Sequence, residues 1–110
     1  MSFSEQTGKL VNEIIQAEYN NACDNWSDKF NSLHEGYAVL LEEIEETEDC
    51  LKNIQALMKD IWENVKKNKK IDDEIKIASI SVVQGIGELA QVGAVLMKIK
   101  NTVGEKGNEN

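Results

Sequence analysis

The sequence predicts an all-α protein, a helical bundle of three to four helices completed by oligomerisation, and three observations lead there. Apolar residues recur at heptad spacing from Leu33 through Tyr37, Leu40, Ile44, Leu51, Ile54, Met58 and Ile61 to Val65, with Thr47 as the interruption. The flanking segments also hold apolar stripes at helical period: Phe3, Leu10, Ile14 and Ala17 before, and Ile75, Ala78, Val82, Ile86, Leu89, Gly93 and Leu96 after. Seams of unequal length on three helices do not close a four-helix arrangement within one chain, so association between chains is expected.

The first helix is placed from about Ser4 to Asn25, with Val11, Ile15 and Ala22 broadening its apolar face. Asn20 and Asn21 weaken its end, and residues 24–31 read as a loop of turn formers that carries two aromatics, Trp26 and Phe30. Those aromatics either staple the loop to the bundle or, for Trp26, stack on a base while Lys29 meets a phosphate. Ser32 followed by Glu35 has capping-box spacing, so the second helix begins at Leu33. It can run to about Lys66, with Asn53 and Asp60 as places for a break. Lys66, Lys67, Lys69 and Lys70 form a cationic connector, explained by the helix dipole, although a phosphate could also meet it. Asp72 or Asp73 is expected to cap a third helix that ends near Thr102. Gly85, Gly87 and Gly93 within it point to close helix approach or to room for a bound group. One domain is expected over residues 1–103, with 104–110 a disordered tail.

Composition narrows the classes of function. Of 110 residues, 20 are acidic and 12 are Lys, none Arg, for a net charge of -8, which argues against nucleic acid as a partner. No apolar run approaches membrane-spanning length and the first residues lack the character of a signal peptide, so no membrane association and a cytoplasmic location are expected. Cys23 and Cys50 with a single His support neither a zinc site nor a disulfide framework, and both read as free thiols near the core. His34, in the first turn of the second helix, reads as an exposed polar residue.

The densest charge lies on the second helix, where six of the eight residues from Glu42 to Asp49 are acidic. Like charges three or four apart cost about 0.2 to 0.5 kcal/mol per pair, so the run calls for compensation or for solvent. Glu43 and Glu46 share a side beside the apolar seam, continued by Cys50 and Asn53, while Glu45 and Asp49 point elsewhere. Two inward carboxylates on one helix are how bundles offer hard oxygen ligands to Mg²⁺ or Mn²⁺; the alternative is a solvated acidic face. On the third helix a polar stripe of Ser81, Gln84, Glu88 and Gln91 runs next to the apolar one.

The segments Phe30 to Glu46 and Gly87 to Ala94, within a match over about residues 26–100, resemble short, phage-type MazG-like proteins of the all-α nucleoside triphosphate pyrophosphatase superfamily. The resemblance rests on an EExxE motif, Glu42-Glu43-Ile44-Glu45-Glu46, and on a later ExxD-like motif at Glu88 and Gln91. It implies Mg²⁺ held by Glu43, Glu46, Glu88 and Gln91, with Mn²⁺ as an alternative ion, and Glu42 orienting the attacking water. It further implies hydrolysis of an NTP or dNTP to a monophosphate and pyrophosphate by a dimer or tetramer, and for such a substrate the loop's own Trp26 and Lys29 are the expected binding residues. The chain departs from the family's pattern at Gln91, where Asp is expected: an amide oxygen can ligate a hard cation but adds no charge. A non-catalytic nucleotide-binding or protein-interaction module on the same helices is the competing expectation.

Overall fold

A computed structural model describes residues 2–25 and 27–106; the expectation placed on Trp26, and the part of the disordered-tail expectation that falls on residues 107–110, lie outside the described residues. Three α-helices follow one another, α1 Glu5–Asn25, α2 Leu33–Lys66 and α3 Asp72–Lys106, with no strand among the described residues. α2 and α3 form an antiparallel hairpin that gives the molecule its 59 Å length, and α1 packs on α3 alone.

Each boundary has a local cause. Ser4 and Ser32 accept from the N–H groups of Thr7 and Glu35, both at 3.1 Å, satisfying amides that the first turns of α1 and α2 leave open. The Glu35 carboxylate differs from the expected box in reaching Asn31 instead of the cap residue, accepting from its side-chain amide at 3.1 Å. α2 runs its 34 residues without the break considered at Asn53 or Asp60. It ends in a Schellman turn: Asn68 takes a left-handed φ of 55° while Lys69 and Asn68 donate to the carbonyls of Asn64 and Val65. Asp72 and Asp73 lie inside the first turn of α3, where the helix dipole favours carboxylates, and no side-chain cap bond from either was found.

The tight packing is concentrated where the α1–α2 loop crosses the end of α3. Phe30 is 5% exposed, its N–H donates to Thr102 Oγ1 at 2.9 Å, and the Lys98 ammonium lies 4.4 Å from its ring centroid. Gly36 is buried there because a Cβ would come within 3.0 Å of Ile99 and 3.1 Å of the Phe30 ring. Gly93 does the same for α1, admitting Ile15 to where its Cβ would stand. Gly85 and Gly87 stand in open or ordinary space, so of the three glycines expected to mark close approach or a bound group only Gly93 is explained by close approach.

Two expectations are corrected on α3. Its last turns are ordered where a frayed end was expected: the helix reaches Lys106, Thr102 is fully buried, and Asn101 donates to the Tyr19 hydroxyl and to the Asp28 carbonyl. These polar side chains serve the loop's backbone instead of water. The helix from Asp72 to Gly104 is also long and apolar enough, by length and composition, to cross a membrane, with a mean hydropathy of 1.5 in its best window. Counting uninterrupted runs missed this, because Gln84, Glu88 and Gln91 break the run without lowering the average much.

Candidate metal centre

Halfway along the hairpin the acidic side of α2 meets the polar stripe of α3. Glu43 and Glu46 project from adjacent turns of α2, and Glu88 comes across from α3. One carboxylate oxygen from each lies within 4.8 Å of the others. Adjacent vertices of a Mg²⁺ octahedron are about 3.0 Å apart and opposite ones about 4.2 Å, so the three oxygens would draw together by up to about 1.8 Å to sit on one ion. Thr47 donates its hydroxyl to the Glu43 carbonyl at 3.0 Å, which uses up the one polar group that interrupts the seam.

Gln91 completes the group. One end of its amide stands 3.0 Å from Glu43 Oε2 and 3.3 Å from Glu88 Oε2, and with its nitrogen there it donates to both carboxylates. The carboxylates still crowd one another. Partial burial, then the charges of Glu46, Glu88 and Glu42, hold the Glu43 carboxyl above its ordinary pKa. Burial and the neighbouring Glu46 carboxyl raise Glu88 in the same direction. A site that penalises its own charge in this way is suited to a divalent cation, which would relieve the penalty. The donor set of three carboxylates and an amide oxygen, reached by rotating the Gln91 amide through about 180°, is the hard-oxygen chemistry that Mg²⁺ or Mn²⁺ takes.

The cluster borders a cleft of about 660 Å³ between α1 and α2, floored by α3. Glu42, Glu43 and Gln91 stand at its edge, Phe30, Val39, Ala94 and Val95 give it apolar walls, and α1 adds Tyr19 and Cys23. Among the described residues Lys98 is the one cation on its lining, two helical turns from Gln91 on the same side of α3, or about 10 Å along the axis. The neighbouring Cys23 thiol, and after it burial, raise the pKa of the Tyr19 hydroxyl.

Of the residues singled out from sequence, Glu43, Glu46, Glu88 and Gln91 come together, and Glu42 faces the adjoining cleft. Lys29 is not on the cleft lining and lies 3.9 Å from Asp28. His34 is exposed, as expected, and both cysteines are free and partly buried. The α1 wall was not foreseen as part of any site; its signal, Tyr19, Ala22 and Cys23 within one turn and a half, is indistinguishable in sequence from an ordinary apolar face. No family model, no curated protein and no solved structure matches this chain.

Proposed function

We propose that the chain is a Mg²⁺-dependent nucleoside triphosphate pyrophosphohydrolase of the MazG-like kind, acting on an NTP or dNTP. The observation that carries this reading is the convergence of Glu43, Glu46 and Glu88 within 4.8 Å at the edge of a cleft large enough for a nucleotide. Glu43, Glu46, Glu88 and the Gln91 amide oxygen would hold the ion. A bound divalent ion supplies charge neutralisation for phosphate oxygens and acidifies a water. Water oxygen then bonds to the α-phosphorus, the bond to the α,β-bridging oxygen breaks, and pyrophosphate leaves with that oxygen.

The chain's own groups have definable tasks. Glu42 is exposed on the cleft wall next to Glu43, positioned to accept a hydrogen bond from the attacking water. Lys98, about 10 Å from Gln91, is placed to meet the charge of a polyphosphate that begins at the acidic cluster, and Phe30 holds its ammonium in the cleft. Val39, Ala94 and Val95 offer an apolar wall to a base or sugar. A second reading, a module that binds a nucleotide without cleaving it, is favoured by one observation, the neutral amide of Gln91 where a fourth carboxylate would strengthen the ion's hold.

Pyrophosphate release from a panel of NTPs and dNTPs with Mg²⁺ or Mn²⁺ tests the first reading. Release that is lost in Glu43→Gln and in Glu88→Gln, with helix content unchanged by circular dichroism, is the expected result. No release from any nucleotide, with calorimetric binding of a non-hydrolysable analogue retained, would favour the binding module.

A further inference from the structure

We propose that the tip of the α2–α3 hairpin is a docking surface for an acidic segment of a partner protein, held by the lysines of the connector with Trp62 as its apolar anchor. This is independent of the metal reading and starts from charge that the helix ends do not explain. Four of the chain's 12 lysines fall within the five residues 66–70, in a protein whose net charge is -8, and all four are exposed. The dipole of α2 accounts for two of them: Lys66 and Lys67 complete its last turn and cap, where a cation meets open carbonyls. Lys69 and Lys70 stand beyond the cap and directly ahead of α3, whose N-terminal end disfavours positive charge. Among the described residues no carboxylate lies within 4.0 Å of Lys67, Lys69 or Lys70. The backbone that carries them is fixed, because Lys69 donates its N–H to the Asn64 carbonyl at 2.9 Å. A fixed cluster of cations loses less on binding than a loose one.

Trp62 lies one turn before the cap and is 59% exposed. It stands outside the heptad seam of α2. Of that seam Ile54 and Ile61 are half-buried while Met58 and Val65 are exposed, and Trp62 projects about 100° of helix rotation beyond Ile61. Neither burial within the chain nor the seam accounts for an indole there. The Lys66 ammonium lies 5.7 Å from its ring centroid and pairs with Glu63 at 2.8 Å, so the ring and the first cation of the cluster adjoin. An exposed Trp beside unpaired charge is the composition of an interface anchor.

Charge complementarity names the occupant. The acidic run from Glu42 to Asp49 ends about 25 Å along α2 from Lys66, roughly three screening lengths at physiological salt, so it does not cancel the field of the tip. Carboxylates of a short segment can meet the lysines one by one while an apolar side chain of the same segment packs on Trp62. An anionic bilayer suits the tip less well, because Asp60, Glu63, Asp72 and Asp73 are exposed around it and would be pressed against the headgroups. A nucleic-acid strand also suits it less well, since stacking needs an open ring face and Lys66 lies over one of the two.

The test is the binding of a dye-labelled dodecapeptide of Glu and Asp with one Phe and one Leu, followed by anisotropy with the full chain. Saturable binding that weakens as salt rises is expected. The double variant Lys69→Glu, Lys70→Glu should weaken it at least about tenfold with helix content unchanged by circular dichroism, and Trp62→Ala several-fold. Lys9→Glu and Lys52→Glu, exposed elsewhere on α1 and α2, should together leave it within about twofold. In the Trp26→Phe protein the Trp62 emission should move to shorter wavelength on adding the peptide. No binding of the peptide overturns the proposal, as does equal weakening by the Lys9→Glu, Lys52→Glu pair. Tighter binding of oligo-dT or of phosphatidylserine vesicles than of the peptide assigns the tip to nucleic acid or to lipid and overturns it too.

Discussion

The two ends of the α2–α3 hairpin are made of similar residues and finished differently. At one end the α1–α2 loop crosses α3, Phe30 and Gly36 are buried, and Thr102 and Asn101 satisfy the loop's backbone groups. At the other end α1 has no reach, Met58, Trp62, Val65, Ile75, Ile77 and Ile80 are exposed, and Glu74 keeps a buried carboxylate oxygen for which no hydrogen-bond partner was found among the described residues. The difference does not come from apolar content, which is as high at the open end. It comes from the third element: two helices bury one edge of a seam, and only a third surface closes it. The acidic cluster sits at the transition, with Glu43 and Glu88 partly buried and Glu46 exposed to solvent.

The largest expected effect separates the ends directly. Phe30→Ala should cost about 3 to 5 kcal/mol in urea unfolding, as for a buried aromatic. Met58→Ala should cost less than about 0.5 kcal/mol in an isolated chain and about 2 kcal/mol or more if a second copy covers it. Equal, large effects would mean the open end is closed in solution.

Glycines give the next contrast. Gly36→Leu should cost about 1 to 3 kcal/mol, because the added side chain meets Ile99 and the Phe30 ring. Gly87→Ala, whose Cβ meets nothing within 4 Å, should add about 1 kcal/mol of helix stability by thermal melting.

At the cluster, Gln91→Asp removes a donor to Glu43 and Glu88 and adds a fourth carboxylate. Without divalent ions the variant should lose about 1 kcal/mol, or roughly 4 °C in melting temperature, and should recover more than the wild type does when Mg²⁺ is added. An unchanged Mg²⁺ dependence would remove Gln91 from the site.

The smallest effect is on the pH profile. Glu43 and Glu88 have folded pKa values above the ordinary 4.5, so each costs stability once ionised and none once protonated. The metal-free protein should therefore gain stability from this pair as pH falls from neutral through the raised values toward 4.5. Glu43→Gln should flatten that rise and melt higher at neutral pH. A steeper rise in the variant would contradict the crowding that defines the cluster.

Much of the fold was legible because its signals are local. Ser32 marked the start of α2, Lys66 its end, and the spacing of Glu43 and Glu46 their common side. The division of the heptad seam was not legible, since a wheel shows that Leu40 and Leu51 lie near one another but not which of them meets the chain's own α3. The α3 end was misjudged for a related reason. Asn101 and Thr102 are polar, and only the path of a loop about 72 residues earlier in sequence turns them from solvent-facing groups into hydrogen-bonding partners for it. Within the site, the side chains on neighbouring helical turns could be paired from spacing, while the wall contributed by α1 required knowing that α1 lies along α3.

The bond between the Phe30 N–H and Thr102 spans 72 positions of the chain, and this sets an order of events. Hairpin contacts between α2 and α3 close shorter loops and form first, whereas the clamp over Phe30 waits for the last turns of α3 and for α1 to swing back. A chain whose hairpin has closed but whose clamp has not leaves the floor of α3 uncovered, so the cleft is the last part of the fold to take shape.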